Sequence, residues 1–297
     1  MSLSAPSVLI GWNGRFFPNN WRPITQEISF AQSCGLGSIQ FSDRSEGFKT
    51  ALGLDWPAAA DLIAQAAITA VLEIVVQVNE AGLTPFGASP LDILRANLGF
   101  ITTLPCPYVH WHLVPINPMQ SDTIRNLETS LIPQFHQALE IASKHNFKFG
   151  FEHNAPQLGL FGTPESCAAM LEAVPGLTFV WDFNHTIPEH VKGFQTLIPR
   201  MSHLHISDSP LPAVNHHLPL GEGSINYDNY CQALILGNFS GPAILEIGGN
   251  PQAGGFGGDT DKALIDSAEK LARAFSQAGR DASLYRPGKQ TQNMRYT

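Results

Sequence analysis

Short apolar runs rich in β-branched and aromatic residues alternate eight times with longer segments of helical period, and this alternation limits the fold more than any other feature. A strand followed by a helix reaches its neighbour by a crossover, so successive strands run parallel. The predicted strands are SVLIGWN (7–13), SIQFS (38–42), VLEIVVQV (71–78), YVHWHLVP (108–115), FKFGFEHN (147–154), TFVWDFN (178–184), SHLHISD (202–208) and PAILEIG (242–248). Helical segments are predicted at roughly 23–34, 56–68, 89–103, 121–145, 164–174, 187–198, 226–236 and 259–278. Eight such units in 297 residues fit an α/β chain folded as one (β/α)8 TIM barrel better than a doubly wound sheet, which usually has five or six strands. No interior linker or low-complexity tract divides the chain, so the barrel is expected over 1–282. The polar tail SLYRPGKQTQNMRYT (283–297) lies beyond it.

Composition excludes several function classes. With 43% hydrophobic and 14% charged residues the chain can bury a large core. A net charge of −8 and a pI near 5.7 provide no basic footprint for a phosphate backbone, which argues against nucleic acid as a general partner. Cys34, Cys106, Cys167 and Cys231 are far apart and form no CxxC pair, so they read as buried thiols in a reducing compartment. The N-terminal MSLSAPSVLI lacks a basic n-region, and no apolar run approaches the ~20 residues that span a bilayer. The reading is a cytoplasmic protein with no membrane partner, and assembly as a homo-oligomer stays open.

In a barrel, chemistry gathers where the strands end, and alternate residues point inward. Gly150, Glu152 and Asn154 share one face of the fifth strand, and Val180, Asp182 and Asn184 one face of the sixth. His203 and His205 share a face of the seventh, as Pro242, Ile244 and Glu246 do of the eighth. Glu152, Asp182, His205 and Glu246 are therefore expected to converge. Three carboxylates brought together in a low-dielectric mouth repel one another or take up protons unless a cation neutralises them. Three oxygens and one imidazole suit Mn²⁺, Mg²⁺, Co²⁺, Fe²⁺ or Zn²⁺. His203, deeper in its strand, reads as a core histidine.

The series FGFEHN, WDFNH, HLHISD, HHLPLGEG and ILEIGG, in this order, resembles the xylose-isomerase-like TIM barrels, which include sugar isomerases and epimerases, inosose dehydratases and apurinic endonucleases. The resemblance covers nearly the whole chain and is strongest from Glu152 to Glu246. It implies that Glu152, Asp182, His205 and Glu246 bind one catalytic divalent metal ion. It further implies that Glu152 and Glu246, on opposite sides of a sugar or polyol substrate, exchange a proton through a cis-enediolate. His185 of the D-x-x-H motif would contact substrate oxygens or a second metal, and Asp208 of H-x-x-D, a further candidate substrate contact, would lie close by. His112 reads as substrate-facing or as a support behind the metal ligands, with a structural role for its strand neighbour His110 equally open. Trp12, Phe16 and Phe17 are candidates for an apolar wall against a sugar face.

The segment SDSPLPAVNHH has no arginine where several sugar epimerases place one after the strand-seven histidine, so His216 or His217 would have to substitute. A dehydratase acting on a cyclic polyol ketone uses a similar enolising step and is the alternative. An endonuclease-like phosphodiesterase with three zinc ions needs histidines on strand three, which supplies none, and Asn215 stands where that branch has an aspartate. A metal-free glycosidase built on Glu152 and Glu246 leaves Asp182 and His205 unexplained, and a non-catalytic barrel would predict degraded ligands. The glycine-rich GGNPQAGGFGGDT (248–260) could cradle an anion, but Asp259 suits a helix N-cap and no Arg or Lys precedes Lys262. A neutral polyol or keto sugar is favoured, while Arg15 and Arg44 leave an acidic substrate open.

Overall fold

A computed structural model describes residues 8–17, 20–43, 47–248 and 258–279. Eight parallel strands close into a barrel: β1 (Leu9–Asn13), β2 (Ser38–Asp43), β3 (Thr69–Val78), β4 (Tyr108–Pro115), β5 (Lys148–Glu152), β6 (Thr178–Asp182), β7 (Met201–Ile206) and β8 (Pro242–Leu245). Each strand pairs with the next, and β8 returns to β1. The helices between them are α1 (Ile24–Cys34), α2 (Trp56–Gln65), α3 (Pro90–Thr103), α4 (Ser121–His145), α5 (Pro164–Ala173), α6 (Val191–Gln195), α7 (Tyr227–Leu236) and α8 (Asp261–Gln277). No described helix is long and apolar enough to cross a membrane.

Alternation along the strands sorts residues into two layers. One parity supplies Trp12, Phe41, Trp111, Phe151 and Trp181, all fully buried in the apolar layer under the helices. The other parity supplies Gln40, Glu73, His110, Glu152, Asp182 and His205, buried but polar, inside the barrel. Parallel register levels the inward set: His112 opposes Glu152, Asp182 opposes His205, and His205 opposes Ile244, two residues before Glu246. Gly150 lies one inward step below Glu152, where an added Cβ would sit 2.6 Å from the Thr178 carbonyl oxygen. Only a residue without a side chain lets β5 and β6 approach this closely.

Local signals set the helix starts. Asp55, Ser89 and Thr163 accept backbone N–H bonds at the heads of α2, α3 and α5, each with proline in the first turn. Three expectations are corrected. Strand eight stops at Leu245, so Glu246 is the first residue beyond it. The helix expected over 187–198 is broken into 3-10 turns at Pro188–His190 and Ile198–Arg200 around the short α6, because proline opens each turn and Gly193 packs on the Pro164 ring. Thr260, not Asp259, caps α8, and the Asp259 carboxylate instead accepts from Asn20. A small antiparallel hairpin, Phe16–Phe17 against Asn20–Trp21, follows β1 and was not anticipated. The tail 283–297, Arg44 and most of the glycine-rich stretch lie outside the described residues.

Candidate active site

Glu152 ends β5, Asp182 ends β6, His205 lies one residue from the end of β7 and Glu246 follows β8. One ligand atom from each of these four side chains lies within 4.8 Å of the others. His205 Nδ1 is 3.3 Å from Glu152 Oε1 and 3.4 Å from Glu246 Oε2. After β6 the chain turns at once into a 3-10 turn, Phe183–His185, capped by the Asp182 carboxylate through the Asn184 N–H. That turn brings His185 Nδ1 to 3.2 Å from Asp182 Oδ2 and 3.4 Å from Glu152 Oε1, with the His153 carbonyl at 3.1 Å.

The hub is polar, buried and incomplete. Both Glu152 oxygens, Asp182 Oδ2 and His205 Nδ1 have no hydrogen-bond partner, although each is sealed from solvent. Leaving four such atoms unpaired together would cost several kcal/mol, at roughly 1–3 kcal/mol per group. A divalent cation satisfies all of them at once, and the donor set suits the hard and borderline first-row ions. The residues present thus fit a metal.

Electrostatics lead to the same conclusion. Burial pushes Glu152 and Glu246 well above the ordinary glutamate range; His112 and His205 respectively pull them down, while neighbouring carboxylates push further up. Burial also works against ionised Asp182, but His185, His205, His217 and His153 outweigh it and hold the group below its ordinary value. His185 is depressed to about 4, first by burial.

Beside the hub is a pair that sequence reasoning missed. Glu73 on β3 accepts from Ser42 Oγ at 2.5 Å and lies 3.2 Å from His112 Nδ1. Burial alone would raise Glu73, yet His112 and the Ser42 hydroxyl bring it down to about 2. His112 is opposed by burial but raised to about 9 by Glu152 and Glu73. Its Nε2 is 3.1 Å from Asn154 Oδ1, whose amide nitrogen donates to the Leu113 and Leu160 carbonyls, so Nε2 faces a fixed acceptor. The available signal was one glutamate at inward parity within the apolar run VLEIVVQV. Below the hub, His203 Nε2 lies 3.0 Å from His110 Nδ1, and its Nδ1 is 2.9 Å from Ser202 Oγ. Burial drives both imidazoles well below their ordinary values.

Two candidate substrate contacts lie elsewhere. Trp12 is fully buried on the outward face of β1, edge-on to Phe30, and donates Nε1–H to Glu27 at 2.7 Å. Its parity is opposite to that of Asn13, whose amide reaches Glu246, so it forms no wall of the mouth. Asp208 is also committed: its oxygens accept the backbone N–H groups of Ser209, Gly221 and Ile225 at 2.9, 2.7 and 3.1 Å. It clamps the loop after β7, and Gly223 packs so tightly that a Cβ would lie 2.3 Å from Asp208 Oδ1. Phe16 stacks on Phe41 instead of facing the mouth. Arg15 is fully buried, paired with Glu27 at 2.8 Å and Asp261 at 2.5 Å, and is not available to an acidic substrate.

His217 stands at the edge of the hub, its ring 6.2 Å from that of His185. Both of its nitrogens are engaged, Nδ1 with the Glu246 carbonyl at 2.9 Å and Nε2 with Asn215 Oδ1 at 3.0 Å. Asn184 fixes this loop by accepting the backbone N–H groups of His216 and His217.

Comparison with known proteins agrees with this architecture. No curated protein sequence matches significantly. Among solved structures, a D-allulose 3-epimerase from Methylomonas sp. in complex with D-allulose is 14% identical, with a TM-score of 0.70 over 92% of this chain and all of that one. The IOLI protein with a bound zinc atom is 16% identical, with a TM-score of 0.72 over 91% and 99% of the two chains. An AP endonuclease of family 2 from Brucella melitensis is 17% identical, with a TM-score of 0.62 over 89% and 98%. At these identities the likeness speaks for the fold. The model of the xylose isomerase-like TIM barrel family matches residues 28–274, and the chain belongs to that family.

Proposed function

We propose that this chain is a divalent-metal-dependent isomerase or epimerase of a neutral sugar or polyol, working by proton transfer at the carbon beside a carbonyl. The observation that carries the proposal is the convergence of Glu152, Asp182, His205 and Glu246 with four buried lone-pair atoms left without partners. A divalent cation held there supplies Lewis-acid polarisation, which acidifies the carbon next to a carbonyl. Glu152 and Glu246 come from β5 and β8, strands that are not neighbours, so they approach a molecule in the mouth from two sides. One carboxylate removes the proton and the other delivers one to the opposite face. Asp182, fixed by its own turn, is left as a ligand, and His185, whose Nδ1–H is taken by the His153 carbonyl, keeps Nε2 to accept from a substrate hydroxyl.

The Methylomonas epimerase was solved with D-allulose and the IOLI protein with zinc, and both share this barrel over more than nine-tenths of the present chain. Those facts support a sugar ligand and a metal here. The test is deuterium incorporation from heavy water into a panel of ketoses, with added Mn²⁺ and with a chelator. Metal-dependent exchange at a carbon beside the carbonyl is the expected result, and exchange that survives full chelation would exclude the mechanism.

A further inference from the structure

Gln40 lies in β2 between Ile39 and Phe41, which face the helices, so its own side chain enters the barrel, where it is fully buried. A primary amide in that position is costly unless its donors and acceptor are all used. They are used on the hub. Its Nε2 is 2.6 Å from Glu246 Oε1 and 3.4 Å from Glu73 Oε2, and its Oε1 is 2.8 Å from His205 Nε2.

These partners fix the orientation of every group. An amide nitrogen only donates and an amide oxygen only accepts, so Nε2 of Gln40 donates to the two glutamates and its Oε1 accepts from His205. A carbonyl-type oxygen also only accepts, so His205 carries its proton on Nε2. An imidazole that ligates a cation carries a single N–H, so the lone pair is left on Nδ1. This is the His205 atom without a partner, 3.3 Å from Glu152 and 3.4 Å from Glu246.

We infer that Gln40 is the positioning residue of the cation site: it sets the His205 tautomer so that Nδ1 is the ligand, and it holds Glu246 by its other oxygen. The inference rests on the metal site proposed above and adds to it a residue that touches no metal. Two ligands from different strands answer to one side chain, so a variant that fills the same volume without hydrogen bonds should lose affinity for the ion and keep the fold. Methionine is that replacement.

The experiment is calorimetric titration of the full chain with zinc, for the wild type and Gln40→Met, alongside thermal melting of both metal-free proteins. The wild type should bind one zinc ion per chain. Gln40→Met should bind ~10- to 100-fold more weakly, the usual loss when a partner of a ligating histidine is removed, with a metal-free melting curve close to wild type. Affinity of Gln40→Met within threefold of wild type would overturn the role of Gln40 and leave the metal site standing. No zinc binding by a folded wild type would overturn the metal site itself, and the inference with it. Long-range nitrogen–proton NMR of the zinc-loaded wild type decides the matter even if Gln40→Met does not fold. A proton on Nε2 of His205 supports the assignment, and one on Nδ1 refutes it.

Discussion

Replacing Asp208 with alanine should destabilise the protein through the loop after β7. The carboxylate accepts three backbone N–H groups, those of Ser209, Gly221 and Ile225. Hydrogen bonds to a charged acceptor contribute roughly 1.5–3 kcal/mol each, and the loop can partly relax toward water, so the lower figure applies to each, giving about 4–5 kcal/mol in total. For a chain of this size one kcal/mol moves the melting midpoint by about 2–4 °C, so Asp208→Ala should lower it by ~10 °C or more. Asp208→Asn keeps one oxygen, able to serve Ser209 and Ile225, but turns an NH2 group toward the Gly221 N–H. Its loss should fall between those of wild type and alanine. The assay is chemical denaturation of the metal-free protein, followed by fluorescence. If Asp208→Ala stays within about 1 kcal/mol of wild type, the clamp carries no weight and the placement of Asp208 outside the substrate contacts loses its basis.

Further consequences concern the hub and its supports. Glu246→Gln should abolish turnover while the far-UV spectrum of the barrel is unchanged; measurable turnover in a folded variant would remove Glu246 from proton transfer. Trp12→Phe should cost ~1–2 kcal/mol through the lost bond to Glu27 yet leave KM within twofold, since the indole lies behind the barrel wall. Glu73→Gln should destabilise the metal-free protein in a pH-dependent way. The folded-state value of Glu73, about 2, lies below the ordinary 4.5, so its contribution is present above pH 4.5 and lost as pH falls toward 2. His112, at about 9 against 6.5, contributes below pH 6.5 and loses its effect as pH rises through 9. The difference between variant and wild type should therefore peak between these limits, at ~3 kcal/mol. A difference that does not vary from pH 3 to 9 would contradict the pairing.

Strand periodicity carried most of the fold because each outward strand face is a dense apolar layer and each inward face changes chemistry at its end. Glu152, Asp182, His205 and Glu246 were legible for that reason: parity and strand order suffice to bring them together. Gln40 and Glu73 were not, because one polar residue in an apolar run says nothing about its partners until the register of β2, β3 and β4 is known. Trp12 and Asp208 show the reverse failure. A tryptophan at a strand end suggests a wall and an aspartate three residues after a histidine suggests a substrate contact, but outward parity excludes the first and three backbone amides claim the second. The proline-broken segment around α6 and the hairpin after β1 depend on packing against Pro164 and on the Arg15–Glu27–Asp261 cluster, contacts made across long sequence separations.

The central claim is that four strand-end side chains hold one divalent cation, and anomalous diffraction from crystals soaked with Mn²⁺ or Zn²⁺ tests it most directly. The account predicts a single strong peak bounded by Glu152, Asp182, His205 and Glu246, with His205 coordinating through Nδ1. Crystals that take up the ion elsewhere and show no peak among these four residues would contradict it.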